Sequence, residues 1–226
     1  MDSNSVGLFF FWTINGIKGI GGAKVSVFWQ KHWFKVLVAA VIVAAAAGWW
    51  FRSGSGEKLP VIKQAQDFKL ENIDGQMTGL SDDSGKVRLV YFFWSTCPDV
   101  CQPTTYELSK VQQELKKSGL LGKDAVIYSI SFDPERDTAE QLKKYSARFE
   151  ADPQGWKFLR GESKAVIDLA LKYGVSVMKD NNNNFIHTNS VALVDRAGNL
   201  RKYILASEGK LSYKLVVNEV ERLANE

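Results

Sequence analysis

The chain is sparing with the residues that most often do metal and redox chemistry: its 226 residues hold two cysteines, Cys97 and Cys101, and two histidines, His32 and His187. A lone thiol pair is one or two ligands short of a closed zinc site, so any metal chemistry must recruit a donor from elsewhere in the chain. No internal repeat is visible, and no low-complexity stretch beyond the asparagines at 181–184. A phosphate-cradling glycine loop is missing as well: Gly19, Gly21 and Gly22 precede a long apolar run and follow no strand, which fails the context test for a dinucleotide motif. The folded part also lacks a basic excess. The net charge of +4 is already carried by residues 1–56, and from Glu57 onward Lys and Arg balance Asp and Glu. That distribution excludes a nucleic-acid groove and points to a charge asymmetry across a membrane.

What is present first is the apolar run Val36 to Phe51, which contains no charge and is extended by Trp33 and Phe34 past Lys35. A bilayer span takes roughly 17–25 residues, and Lys35 can snorkel, so residues 33–51 are expected to form a transmembrane anchor with aromatic residues at both interfaces. Cleavage as a signal peptide calls for a small-x-small site after the run; Trp49-Trp50-Phe51-Arg52 supplies none, whereas Ala44 to Gly48 leaves that route open. Lipoprotein processing is excluded because no cysteine lies nearby. Positive charge precedes the run, which places residues 1–32 in the cytoplasm and the folded domain on the periplasmic or outer side of the cell membrane. Residues 1–32 include a second apolar run, Val6 to Trp12, without an assigned role, and residues 52–59 read as a flexible tether.

From residue 60 to 226 a single domain is expected. Residues 65–72 and 76–80 alternate apolar and polar side chains about Asp74-Gly75, an opening β-hairpin. Val87 to Trp94 is nearly continuous apolar, as a strand covered on both faces requires. A helix should follow with Pro103 in its first turn, then a buried strand over 125–132, a helix capped by Asp137 or Thr138, and a short strand over 156–159. Ser163 is expected to cap a helix ended by Gly174; a hairpin about 197–199 and a helix over 210–223 close the chain. Strands alternating with helices define an α/β fold, a mixed thioredoxin-like sheet flanked by helices.

The segment Trp94-Ser95-Thr96-Cys97-Pro98-Asp99-Val100-Cys101 sits where the central strand hands over to a helix. Cysteines four apart can face one side if the second opens the helix, and can share a disulfide or a metal ion. A bridge across so short a gap removes little chain entropy, which makes it a poor staple. The helix dipole favours thiolate, the form that attacks disulfides and binds metals. His32 reads as an interfacial residue. His187 lies in a loop before a strand, where a lone histidine is more often a surface residue than a ligand.

The combination Cys97-Pro98-Asp99-Val100-Cys101 with Thr104-Thr105, Ser131-Phe132-Asp133-Pro134-Glu135-Arg136-Asp137-Thr138, and the late His187 before Val194-Asp195-Arg196-Ala197-Gly198 resembles the Sco (SenC) family. The resemblance implies a membrane-tethered copper protein that helps assemble the CuA centre of cytochrome c oxidase, with Cys97, Cys101 and His187 as ligands for Cu(I) or Cu(II) and Asp133, Arg136 and Asp137 shaping the adjoining loop. Implied partners are the oxidase subunit carrying CuA, a thiol reductant or copper donor protein, and the membrane. The chain departs from the family pattern at Gln102, where proline is usual, and at Ile186, where many members have aspartate. A second reading stays open beside the metallochaperone: a thiol-disulfide oxidoreductase, or a redox sensor, with Cys97 as the attacking thiol and Cys101 as the resolving one. A peroxidase fits less well, because the residues around Phe92 to Thr96 do not match the threonine and proline that peroxiredoxins place before their reactive cysteine.

Overall fold

A computed structural model describes residues 23–54, 58–180, 185–206 and 210–226. The expected cytoplasmic residues 1–22, part of the tether at 55–57 and the asparagine loop 181–184 lie outside the described residues. The chain divides into two units, Met1–Lys58 and Leu59–Glu226. In the first, α1 (Ala23–Gly54) begins well before the expected anchor and carries Lys24, Lys31 and Lys35 on the same helix. Among the described residues no helix is long and apolar enough to cross a membrane. The expected transmembrane helix over 33–51 is therefore not shown. Trp33, Phe34, Val36, Leu37, Val41, Ile42 and Val43 are exposed on it.

The second unit opens with β1 (Lys63–Gln64), β2 (Lys69–Asn72) and β3 (Met77–Gly79). Gly75 takes φ +87° in the turn between β2 and β3, a left-handed conformation that a side chain resists. The expected strand from 65 is shorter than its alternation suggests, because Asp67 Oδ1 accepts the amides of Phe68 and Ser81 and bends the chain before β2. After a 3-10 turn at Ser81–Asp83 comes β4 (Val87–Phe93), buried along its whole length as its continuous apolar sequence requires. Then follow α2 (Cys101–Lys117), β5 (Ala125–Ser131), α3 (Ala139–Arg148), β6 (Trp156–Arg160) and α4 (Ser163–Lys172). The chain ends with β7 (Val177–Lys179), β8 (Phe185–His187), β9 (Ser190–Val194), β10 (Asn199–Leu205) and α5 (Tyr213–Ala224).

The main sheet runs β1-β10-β9-β4-β5-β6-β2-β3, and β7 pairs with β8 in a separate ribbon. Central β4 pairs in parallel with β5, Val87 opposite Ala125 through Phe93 opposite Ser131, and antiparallel with β9. Tyr91 and Phe93 face one side, where Phe93 packs on Tyr145 of α3 at 5.2 Å between ring centroids, and α2 packs on α5. Phe92 faces the other side and meets Tyr173 at the end of α4, at 5.7 Å. This is the thioredoxin-like layout, with its central parallel strands delivering their carboxyl ends to one rim.

Helix boundaries follow local chemistry. Thr138 caps α3 by accepting the Gln141 amide at 3.2 Å. Glu162, and not Ser163, caps α4: its carboxylate takes the amides of Lys164 and Ala165 at 2.9 and 2.7 Å, while the Ser163 hydroxyl donates to the Phe132 carbonyl. A carboxylate at that position also complements the helix dipole.

Candidate metal and thiol site

The carboxyl end of β4 turns through Trp94 to Val100 into α2, whose first residue is Cys101. Helix formation starting there leaves amides of the first turn without helical acceptors. One of them, the Cys101 N–H, donates to the Cys97 sulfur at 3.4 Å. Thus the four-residue spacing does what helix geometry allows, laying Cys97 over the helix amino terminus. Both cysteines are buried, and their sulfurs are not bonded to each other.

His187 does not sit in a loop as expected; it ends β8, paired opposite Val177 of β7. Its Nε2 lies 3.5 Å from the Cys101 sulfur, and its Nδ1 lies 3.1 Å from the Thr188 carbonyl. A carbonyl can only accept, so Nδ1 donates to it, and Nε2 is the ring nitrogen that faces the sulfur. That main-chain contact orients the ring, while Ile186 points out to solvent. Trp94 and Phe132 flank the imidazole at 5.4 and 5.3 Å, and Phe185 wedges between them at 4.9 Å from Phe132. These three aromatics form a dry wall for the site. Sequence reading gave them no role; their signal is that each stands beside a chemistry-bearing segment at a strand end.

The two thiols are electrostatically unequal. Cys97 is drawn down to about 4, first by the hydrogen bond from Cys101 and further by His187 and by the amides at the helix start, against the upward push of burial. Burial pushes the Cys101 thiol well up, and the charge held on Cys97 pushes it further. The geometry therefore holds one thiolate and one thiol. Beneath them the buried Tyr91 phenol is also pushed up by burial and by its proximity to Cys101.

The three loop residues expected to shape the site play different parts. Asp133 pairs with Arg136, whose guanidinium also lies 5.9 Å from the centre of the Phe185 ring. Asp137 is fully buried and does not cap α3. Its carboxylate takes the Ser95 amide at 3.0 Å and the hydroxyls of Ser95 and Ser131, so it ties the cysteine loop to the end of β5. Burial holds its carboxyl above its ordinary value, and the hydrogen bonds from the two serines offset only part of that rise.

Among the described residues, no group of three or more His, Cys, Asp and Glu side chains is placed to hold a metal ion as it stands. The donor set is nevertheless soft. With bond lengths of about 2.3 Å to sulfur and about 2.0 Å to nitrogen, two donors on one tetrahedral or trigonal ion stand roughly 3.5–3.8 Å apart. The Cys101–His187 pair meets that spacing at 3.5 Å.

A buried dithiol at the carboxyl end of a central strand, faced across the rim by an oriented imidazole, defines a thioredoxin-like protein adapted to soft-ligand chemistry. The SCO1/SenC family model matches residues 58–225, and the chain belongs to that family. A SCO1 protein homolog of Bacillus subtilis (strain 168) is 32% identical over 152 residues, which cover 66% of this chain and 77% of that protein. The structure of BsSco, described as a member of the Sco family of cytochrome c oxidase assembly proteins with a disulfide switch, matches with TM-score 0.63 and 28% identity, over 73% of this chain and 95% of its own. Arabidopsis thaliana ScoI, solved with copper bound, matches with TM-score 0.61 and 25% identity, over 72% of this chain and 99% of its own.

Proposed function

We propose that this protein is a membrane-tethered carrier that binds copper through Cys97, Cys101 and His187 and delivers it to, or prepares, the CuA centre of cytochrome c oxidase during assembly. The observation that carries this reading is the oriented Nε2 of His187, 3.5 Å from the Cys101 sulfur. The copper-bound relative and the oxidase-assembly role of the family point the same way. Copper is cargo here, so the site must also let it go. A thiolate on Cys97 is ready as the first donor, and capture requires Cys101 to lose its proton and Cys97 to turn from the Cys101 amide toward the imidazole. Three donors leave an open coordination position through which an acceptor can exchange ligands.

Residues 33–51 are proposed to anchor the chain in the cell membrane, amino terminus cytoplasmic and folded domain outside; the exposed apolar face of α1 supports this. Retention in the membrane pellet after alkaline carbonate extraction is the expected result, and release into the supernatant refutes it.

A thiol-disulfide role is favoured by one observation, the inequality of the thiols. In that reading the Cys97 thiolate attacks an acceptor disulfide and forms a mixed disulfide; Cys101 then displaces the acceptor thiol, leaving the acceptor reduced by two electrons and a Cys97–Cys101 disulfide. Anaerobic Cu(I) titration of the reduced full chain in detergent against a competing chelator separates the readings. One copper bound tightly, with at least a several-fold loss in His187→Ala, supports the carrier. Weak binding indifferent to His187, together with disulfide exchange that survives His187→Ala, supports the reductase.

A further inference from the structure

Arg88 breaks an otherwise apolar central strand, and nothing in the copper or thiol reading uses it. It lies at the opposite end of β4 from the cysteines, only 2% exposed. Its two terminal nitrogens donate to main-chain carbonyls, Asp83 O at 3.0 Å and Asp195 O at 2.5 Å, and Nε is buried with no hydrogen-bond partner. Among the described residues Arg88 makes no ion pair. The nearby carboxylates are committed elsewhere: Asp83 to Lys86 and Lys157, Asp195 to Arg201. A guanidinium this deep is normally matched by an anion in contact with it.

Arg88 also lines an open cavity of about 160 Å³, together with Arg196, Ser81, Ser84, Gly198 and Asp67. Gly198 holds the adjacent turn at φ +90°, and a Cβ there would stand 3.3 Å from the Gln64 amide nitrogen and 3.6 Å from Arg88. Glycine thus satisfies the turn and keeps the approach to the guanidinium clear. We propose that this cavity is a binding site for a small monocarboxylate, held by the N–H groups of the two Arg88 terminal nitrogens that the carbonyls leave unused and steadied by Arg196. The planar fork of arginine matches a carboxylate. Asp67, which also lines the cavity, disfavours a doubly charged phosphate more than a singly charged carboxylate, and the Ser81 and Ser84 side chains lining it can serve the polar end of a hydroxy acid.

The test is an NMR titration of the full-length ¹⁵N-labelled chain in detergent micelles with acetate, against sodium chloride and phosphate at matched ionic strength. Acetate is expected to give saturable shifts of the Arg88 Nε–H and of the Ala197 and Gly198 amides, stronger than phosphate gives. Arg196, half-exposed and paired with Asp124, can be changed without opening the core, so Arg196→Gln is the deciding variant, with an expected affinity loss of threefold or more. Shifts that do not saturate, that chloride reproduces, or that Arg196→Gln leaves unaltered overturn the proposal. Cys97→Ser is expected to leave acetate binding unchanged, which separates this site from the copper reading.

Discussion

β4 carries a different chemistry at each end. At its carboxyl end, the hydrogen bond from Cys101 and the helix start outweigh burial and leave the Cys97 sulfur as a thiolate near the His187 imidazole, with aromatic rings walling the site. At its amino end, burial is offset by ionic partners: Asp83 receives Lys86, Lys157 and the Tyr128 hydroxyl, while Arg88 is pinned by two carbonyls. The first arrangement keeps donors under-coordinated and therefore able to take and release a ligand. The second pairs its carboxylates and locks the turns around them, leaving the Arg88 guanidinium only part-used. The lesson is that reactivity in this fold sits where polar satisfaction is withheld, and stability where it is completed.

Asp83→Ala should break the contrast at the stable end. Removing one partner of a buried charge network costs about 3–5 kcal/mol, so the reduced chain should lose that much in denaturant unfolding while its copper affinity is unchanged. Burial raises the Asp83 carboxyl, but the hydrogen bonds from Lys157, Tyr128 and Lys86 outweigh it and hold it below its ordinary value. A depressed carboxyl stabilises above its unfolded pKa and loses that contribution as pH falls through its folded value. The acid loss of stability should accordingly be smaller in the variant than in the parent chain.

At the other end, Cys101→Ser should lower Cu(I) affinity more than the roughly 10–100-fold that an outer-shell change costs, with little effect on stability. Retained tight binding, read by chelator competition, would remove Cys101 from the ligand set. A subtler measurement follows thiolate absorbance of the reduced chain with pH. One thiolate should appear as pH rises through about 4, from Cys97, and its midpoint should move up in Cys101→Ala, which lacks the hydrogen bond that draws it down. Because the folded value lies below that of a free thiol, the stability Cys97 contributes is complete above the ordinary thiol range and is lost as pH falls through about 4. The smallest effect belongs to Thr138→Ala, which removes the α3 cap for about 1 kcal/mol. It should leave copper binding intact if Asp137, and not the cap, secures the cysteine loop.

Much of the fold was legible because hydrophobic period and turn residues are local signals. The buried strands at 87–93 and 125–131, the Asp74-Gly75 hairpin and the helix beginning near Pro103 all follow from them. Short strands carry too few residues for a period, so β1 and the β7–β8 ribbon were not visible, and His187 read as a loop residue. Asp137 looked like a cap because aspartate before threonine at a helix start fits that role equally well; only the approach of Ser95 and Ser131 from two other strand ends shows that it is a buried tie.

By itself the sequence determined that Cys97 and Cys101 face one side at a helix start, since a spacing of four and a proline in the first turn leave the chain few other choices. It also determined that a charge, Arg88, lies within a fully covered strand. Only the tertiary structure decided that His187, eighty-six positions beyond Cys101, brings its Nε2 to that thiol and its Nδ1 to the Thr188 carbonyl. The same is true of the Asp83 and Asp195 carbonyls that grip Arg88. Such contacts depend on the register of strands distant in the chain, which no local pattern encodes.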